Sequence, residues 1–177
     1  ESSHGTHVTG IMLGMDSETA DTIGVAPQAY FIATDPIVSN IANVKPLSEL
    51  MLAYEWSMNP DGDENTSNDI PDVINNSWGR SNDVEDQDWD TCPDFVAEVY
   101  TALEAAGIAN VCSAGNSGPD LETIGVPHNI NTGLVNSFTV GAVNGNTSSL
   151  PIANFSSRGP SICAGEGSLL IKPEVSA

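Results

Sequence analysis

DVINNSWG (72–79) and IANVCSAGN (108–116) are the stretches on which the reading of the fold turns. Each starts with a short apolar, partly β-branched run and ends in small or turn-forming residues, the pattern of a buried strand running into a loop. A helix is expected between them. Pro93 suits its first turn, Val96, Val99, Leu103 and Ala106 recur at helical spacing, and Gly107 supplies a stop. Strand, helix and strand at this spacing make a parallel crossover unit. Functional residues of open parallel sheets collect at the carboxyl ends of the strands. NNSWG (75–79) and SAGNSGP (113–119) are therefore site candidates on placement alone.

The same alternation extends outward. YFIATDPIV (30–38) reads as a buried strand, and SFTVGAV (137–143) as another. From Lys45 a helix is expected, with Pro46 in its first turn and Leu47, Leu50, Met51, Tyr54 and Met58 on one face. The fold class is α/β: a three-layer, mostly parallel sheet with helices on both faces, forming one domain over residues 1–177. Both ends read as cut, since the chain opens on Glu1 and stops at KPEVSA (172–177).

Composition narrows the function. Four basic residues against twenty-four acidic ones give a net charge of −20, which argues against a nucleic-acid partner because phosphate binding needs clustered Lys and Arg. The acid excess fits a soluble secreted protein, a salt-tolerant one, or one that binds divalent cations. No apolar run approaches the roughly 18 residues of a membrane span. The cysteines, Cys92, Cys112 and Cys163, include no C-x-x-C pair, so zinc-finger and thioredoxin-type sites are not expected. Cys92 could pair with Cys112, and Cys163 could equally pair with either. No motif places a base beside a cysteine nucleophile.

Two further features invite metal readings. The opening ESSHGTHVTGI (1–11) carries His4 and His7, but zincin sites use i, i+4 spacing with a glutamate between. A metal-dependent hydrolase would also need a third ligand, and His128 in GVPHNI (125–130) has no partner motif. The loop DGDENTSND (61–69) alternates Asp61, Asp63, Asn65 and Asp69 in a manner reminiscent of calcium loops, without the closing bidentate glutamate. A solvated insertion is the competing reading there.

Six stretches occur in order across the chain: SHGTHVTGI (3–11), IGVAP (23–27), INNSWG (74–79), SAGNSGP (113–119), FSSRGP (155–160) and IKPEVSA (171–177). Together they resemble the subtilisin-like serine peptidases. IPDVINNSWG (70–79), IKPEVSA and AYEW (53–56) look most like the bacillopeptidase F branch of that family. The resemblance implies a secreted endopeptidase acting on polypeptides through an acyl-enzyme, as a monomer. No cofactor is implied for the chemistry, while a structural calcium is compatible with it. His4 matches the general base, a task suited to an imidazole with an ordinary pKa of about 6.5. His7 matches a structural position, and Gly5 one that leaves room around the imidazole. Asn116 matches the side-chain donor of the oxyanion hole. Ser77, Trp78 and Gly79 match a strand-edge segment that pairs with extended substrate. Ser113, Ala114 and Gly115 match the opposite wall of the primary specificity pocket. FSSRGP and IKPE match supporting segments, with Arg158 suited to a structural ion pair. The aspartate expected upstream of His4 and the serine nucleophile expected downstream of IKPE match nothing in these 177 residues, so the chain alone is expected to be inactive. The competing class is a non-catalytic binding or adhesion module on the same fold, favoured by the acidic loop.

Overall fold

The structure, a computed structural model, describes residues 3–36, 45–79, 92–131, 133 and 137–177. The chain divides into two compact units, Glu1–Val44 and Lys45–Ala177.

In the first unit, helix α1 (His4–Leu13) is followed by Gly14, whose N–H donates to the carbonyl of Gly10 at 2.8 Å. The chain then folds back through a bridge between Met15 and Thr22, so that Gly24 donates to Gly14 and Ala26 to Met12. A Cβ on Gly24 would fall 2.3 Å from the Gly14 nitrogen, which restricts that position to glycine. The strand expected over 30–38 does not form across its described part, 30–36, and residues 37–38 lie outside the described residues. Tyr30 and Phe31 are exposed. An apolar run favours burial but supplies no hydrogen-bonding neighbour, and a strand exists only where another pairs with it. Among the described residues, the main sheet recruits all its strands from the second unit.

That sheet has four parallel strands in the order β1 (Val73–Asn76), β2 (Ala109–Ser113), β4 (Phe138–Gly141) and β6 (Val175–Ser176). A two-stranded parallel sheet joins β3 (Ile130–Asn131) to β5 (Cys163–Ala164). Helices α2 (Leu47–Ser57) and α3 (Asp94–Ala105) pack on one another, with the rings of Tyr54 and Tyr100 edge to face at 5.7 Å. Leu47, Leu50, Met51 and Tyr54 of α2 are buried as their spacing requires, and Met58 packs beside them. In α3 the buried row is Val96, Tyr100 and Leu103. Ala106, expected inward, lies exposed past the helix end, because the stripe follows i, i+4, i+7 from Val96 and selects Tyr100. Gly107, at φ +83°, ends the helix in the left-handed region.

The face of the sheet beneath these helices is polar toward its carboxyl end. Register aligns Asn76 with Cys112 and Cys112 with Thr139, all three buried. Buried amides need partners, since an orphaned one costs about 1–3 kcal/mol. Tyr54 donates its hydroxyl to Asn76 Oδ1 at 2.8 Å, and Asn76 Nδ2 donates to Asn110 Oδ1 at 2.6 Å.

A disulfide joins Cys92 to Cys163, with Cα atoms 5.3 Å apart, and Cys112 is a buried free thiol. Of the pairings left open by the sequence, the structure forms Cys92–Cys163. Cys112 points into the layer under α2 and α3, where burial pushes its thiol up to about 12. Cys92 lies exposed at the start of α3, which packs against β3, and β3 brings its partner β5 with Cys163 alongside.

Candidate active site

Parallel register sets where the site can be. Asn76 lies level with Cys112, so the segments leaving β1 and β2 emerge together at the carboxyl end of the sheet. Ser77, Trp78 and Gly79 follow β1, and Ser113, Ala114, Gly115 and Asn116 close β2 and lead out of it. The second unit therefore brings both suspected walls to one end, side by side.

The first wall is fastened from below. Trp78 donates its indole N–H to Asn76 Oδ1 at 3.1 Å, so the Asn76 carboxamide serves both Tyr54 in the helix layer and Trp78 in the wall. Ser77 accepts from Asn75 Nδ2 at 3.0 Å. In the second wall Ala114 is buried, and its N–H donates to the Val140 carbonyl at 2.8 Å, a bond that carries the β2–β4 pairing past the strand end. Gly115 sits at φ +100°, and a Cβ there would approach Ser157 Oγ to 3.0 Å. Backbone direction and space both call for glycine.

Ser157 then clamps the loop that presents Asn116. Its N–H donates to the Gly115 carbonyl at 3.1 Å, and its Oγ accepts the Ser117 N–H at 3.0 Å. Asn116, between these two anchored residues, is exposed and projects a carboxamide at the end of the sheet. FSSRGP thus acts as a support: Ser156 and Ser157 are fully buried, and Ser156 Oγ accepts from Ala142 N–H at 3.0 Å. IKPE supports it too. Lys172 Nζ lies 2.7 Å from Glu174 Oε1, and also donates to the Ser137 carbonyl and to Thr139 Oγ1. Glu174 Oε2 accepts the Thr139 N–H at 2.7 Å, which ties the approach to β6 onto β4. Among the described residues it is Lys172, rather than Arg158, that forms the buried ion pair. The Nε of Arg158 is buried without a hydrogen-bond partner.

His4 opens α1 in the first unit, with His7 one turn on, and both are exposed. A Cβ on Gly5 would meet nothing within 4 Å, so the described residues place no steric demand there.

Asp61, Asp63, Asn65 and Asp69 lie together in the loop after α2, where oxygens of Asp61, Asp63 and Asp69 serve the loop itself and Asp69 Oδ1 is buried without a hydrogen-bond partner. Asp61 accepts the Asp63 N–H at 2.8 Å and the Thr66 hydroxyl at 3.0 Å, Asp63 accepts the Asn65 N–H at 3.0 Å, and Asp69 accepts the Asp61 N–H at 3.0 Å. These bonds hold the carboxyls of Asp61 and Asp63 below the usual carboxylate range. Among the described residues no three His, Cys, Asp or Glu side chains gather in a way that could hold a metal ion. The calcium reading gains no support from this loop.

One residue of the site escaped the sequence reading. His128, expected only as a loop histidine, is buried between the two walls. Its Nδ1 lies 3.1 Å from the Ser113 carbonyl, and its ring meets that of Trp78 edge to face at 5.3 Å. Burial pushes its pKa down to about 4, against the opposing pull of the Ser113 bond, and nearby Lys172 pushes it the same way. The ring is neutral, with the proton on Nδ1, because a carbonyl can only accept. The signal was faint: a histidine between Pro127 and Asn129 has no periodicity to betray burial.

Comparison with known proteins agrees with this architecture. The profile of the Subtilase family matches residues 1–177. The chain is 34% identical over 179 residues to Bacillopeptidase F of Bacillus subtilis (strain 168), covering 99% of this chain and 11% of that protein. It is 29% identical over 180 residues to Serine protease AprX of the same organism, covering 99% of this chain and 38% of that one. The solved structure of Sphericase superposes with a TM-score of 0.70 at 24% identity, covering 98% of this chain and 51% of that chain, and shares the fold. The chain thus spans only part of the length of each relative. With its whole length matched by the family profile, and its parallel sheet carrying the motif loops at one end, this chain belongs to the subtilase family.

Proposed function

We propose that the chain is the part of a secreted subtilisin-type serine endopeptidase that carries the general base and the oxyanion donor. His4 takes the proton of a serine hydroxyl as its oxygen attacks the scissile carbonyl, then passes it to the leaving amine as the C–N bond breaks. A water molecule repeats the sequence: His4 accepts its proton, hydroxide attacks the acyl-enzyme ester, and the proton returns to the serine oxygen. Asn116 Nδ2 donates to the oxyanion in both steps. Removing one such donor from subtilisin costs about 10²–10³ in kcat. Extended substrate lies along Ser77, Trp78 and Gly79, with its side chain before the scissile bond held against Ser113, Ala114 and Gly115. The reading calls for an aspartate that orients His4 and a serine nucleophile, and no motif among these 177 residues matches either. This chemistry uses side chains alone.

The observation that carries this reading is the Asn116 loop. A carboxamide held between Gly115 and Ser117 by one buried serine, at the strand end shared with the substrate wall, is a pre-set donor. In the full-length protein, labelling by a serine-directed fluorophosphonate is expected. Asn116→Ala should lower kcat by about 10²–10³ with little change in KM, and His4→Ala should remove turnover. Full turnover after His4→Ala sinks the reading, and an absence of labelling favours a non-catalytic module.

A further inference from the structure

His128 does something that neither a core histidine nor a catalytic base does. Its side chain reaches both walls: Ser113 through Nδ1, Trp78 through the ring edge, and Gly79, where a Cβ would stand 3.8 Å from Nδ1 and 3.9 Å from Cε1. Its own carbonyl accepts the hydroxyls of Ser137 at 3.3 Å and Thr139 at 3.2 Å, so the ring is anchored to β4 from behind. Nε2 is buried with no hydrogen-bond partner. A buried polar atom without a partner costs about 1–3 kcal/mol, and packing alone would be served better by an apolar ring.

We propose that His128 is a specificity-determining positioning residue, whose ring spaces the Ser77–Gly79 wall from the Ser113–Gly115 wall and so sets the width of the primary pocket. This inference rests on the peptidase reading above. The Nδ1–H fixes the Ser113 carbonyl, and through it the start of the segment that ends in Asn116. The ring face limits how far Trp78 and Gly79 can move inward. Substrate selectivity at the residue before the scissile bond then depends on a side chain that need not touch the reacting atoms.

The test compares two peptide substrates that differ only in carrying Phe or Ala before the scissile bond, in the full-length enzyme. His128→Ala empties the space between the walls, while His128→Asn keeps a donor for the Ser113 carbonyl and removes the ring. In both variants the Phe-to-Ala ratio of kcat/KM should move about tenfold or more, through KM, and in His128→Asn, which keeps the donor to Ser113, kcat on the better substrate should stay within about threefold. Gly79→Ala supplies a variant whose folding does not depend on His128. Its methyl group would sit in ordinary contact with the ring and narrow the same space, so the ratio should shift toward the Ala substrate. An unchanged ratio in folded His128→Asn and in Gly79→Ala overturns the inference. Wild-type enzyme that fails to label with fluorophosphonate overturns the peptidase reading instead, which keeps the two failures distinct.

Discussion

Two polar regions of this chain are built on opposite plans. Behind the strand ends, Asn76, Asn110, His128, Thr139 and Lys172 are buried, and each makes a bond to a group 11 to 35 residues away in sequence, beside the local Trp78–Asn76 and Lys172–Glu174 contacts. In the loop at 61–69, Asp61, Asp63, Asn65 and Asp69 bond to groups only two to eight residues away; the first three are exposed and Asp69 is half-buried. The buried bonds exist only when the sheet and both helices have assembled, and each lost partner leaves a desolvated group behind. The loop bonds form wherever the segment turns, and water replaces any that break. Similar residue types thus hold a site rigid in one place and merely shape a turn in the other.

The contrast can be tested at its most extreme point first. Lys172→Ala should strand the Glu174 carboxylate and the Ser137 carbonyl, with a loss of roughly 3–5 kcal/mol in denaturant titrations of the full-length protein. A loss close to zero would mean that the buried network does not brace β4 and β6.

Acid should expose the same plan through His128. The folded ring has its pKa lowered to about 4, whereas an unfolded histidine titrates near 6.5. Between those values the unfolded chain takes up a proton that the folded ring refuses. Stability contributed by the neutral ring is therefore complete above about pH 6.5 and falls as the pH drops toward about 4, by roughly 3 kcal/mol across the window. Denaturation midpoints measured through this range should fall more steeply for the wild type than for His128→Asn.

The acidic loop supplies the smallest effect. Asp61→Asn removes a charge whose partners are all local and exposed, and Tm should stay at the wild-type value. A clear drop in Tm, together with a rise in Tm on adding calcium that the wild type shows and the variant does not, would show that the loop does more than shape itself.

Much of the fold was legible because burial writes a period into the sequence. Leu47, Leu50, Met51 and Tyr54 mark the inner face of α2 by their spacing alone, and Val73–Ile74 and the strand at 109–113 mark a parallel pair. The candidate site was legible as motifs at strand ends, since Gly115 and Asn116 stand where the register of β1 and β2 brings the walls together. Periodicity is silent about partners. It could not reveal that Asn76 and Asn110 are buried together, that Tyr100 rather than Ala106 faces inward, or that Cys163 lies beside Cys92. The segment at 30–36 misled for the same reason, having the composition of a buried strand without a neighbour to pair with. His128 was hidden because its three wall contacts come from two other strand ends, and a loop histidine carries no local mark of that convergence.

The Cys92–Cys163 bond encloses β2, the Asn116 loop, His128 and β4 within one covalent ring. A single backbone cut anywhere from 93 to 162 therefore separates nothing. Both pieces stay tethered, migrate as one species until a reductant is added, and keep the Asn116 loop and the Ser113–Gly115 segment attached to the same molecule.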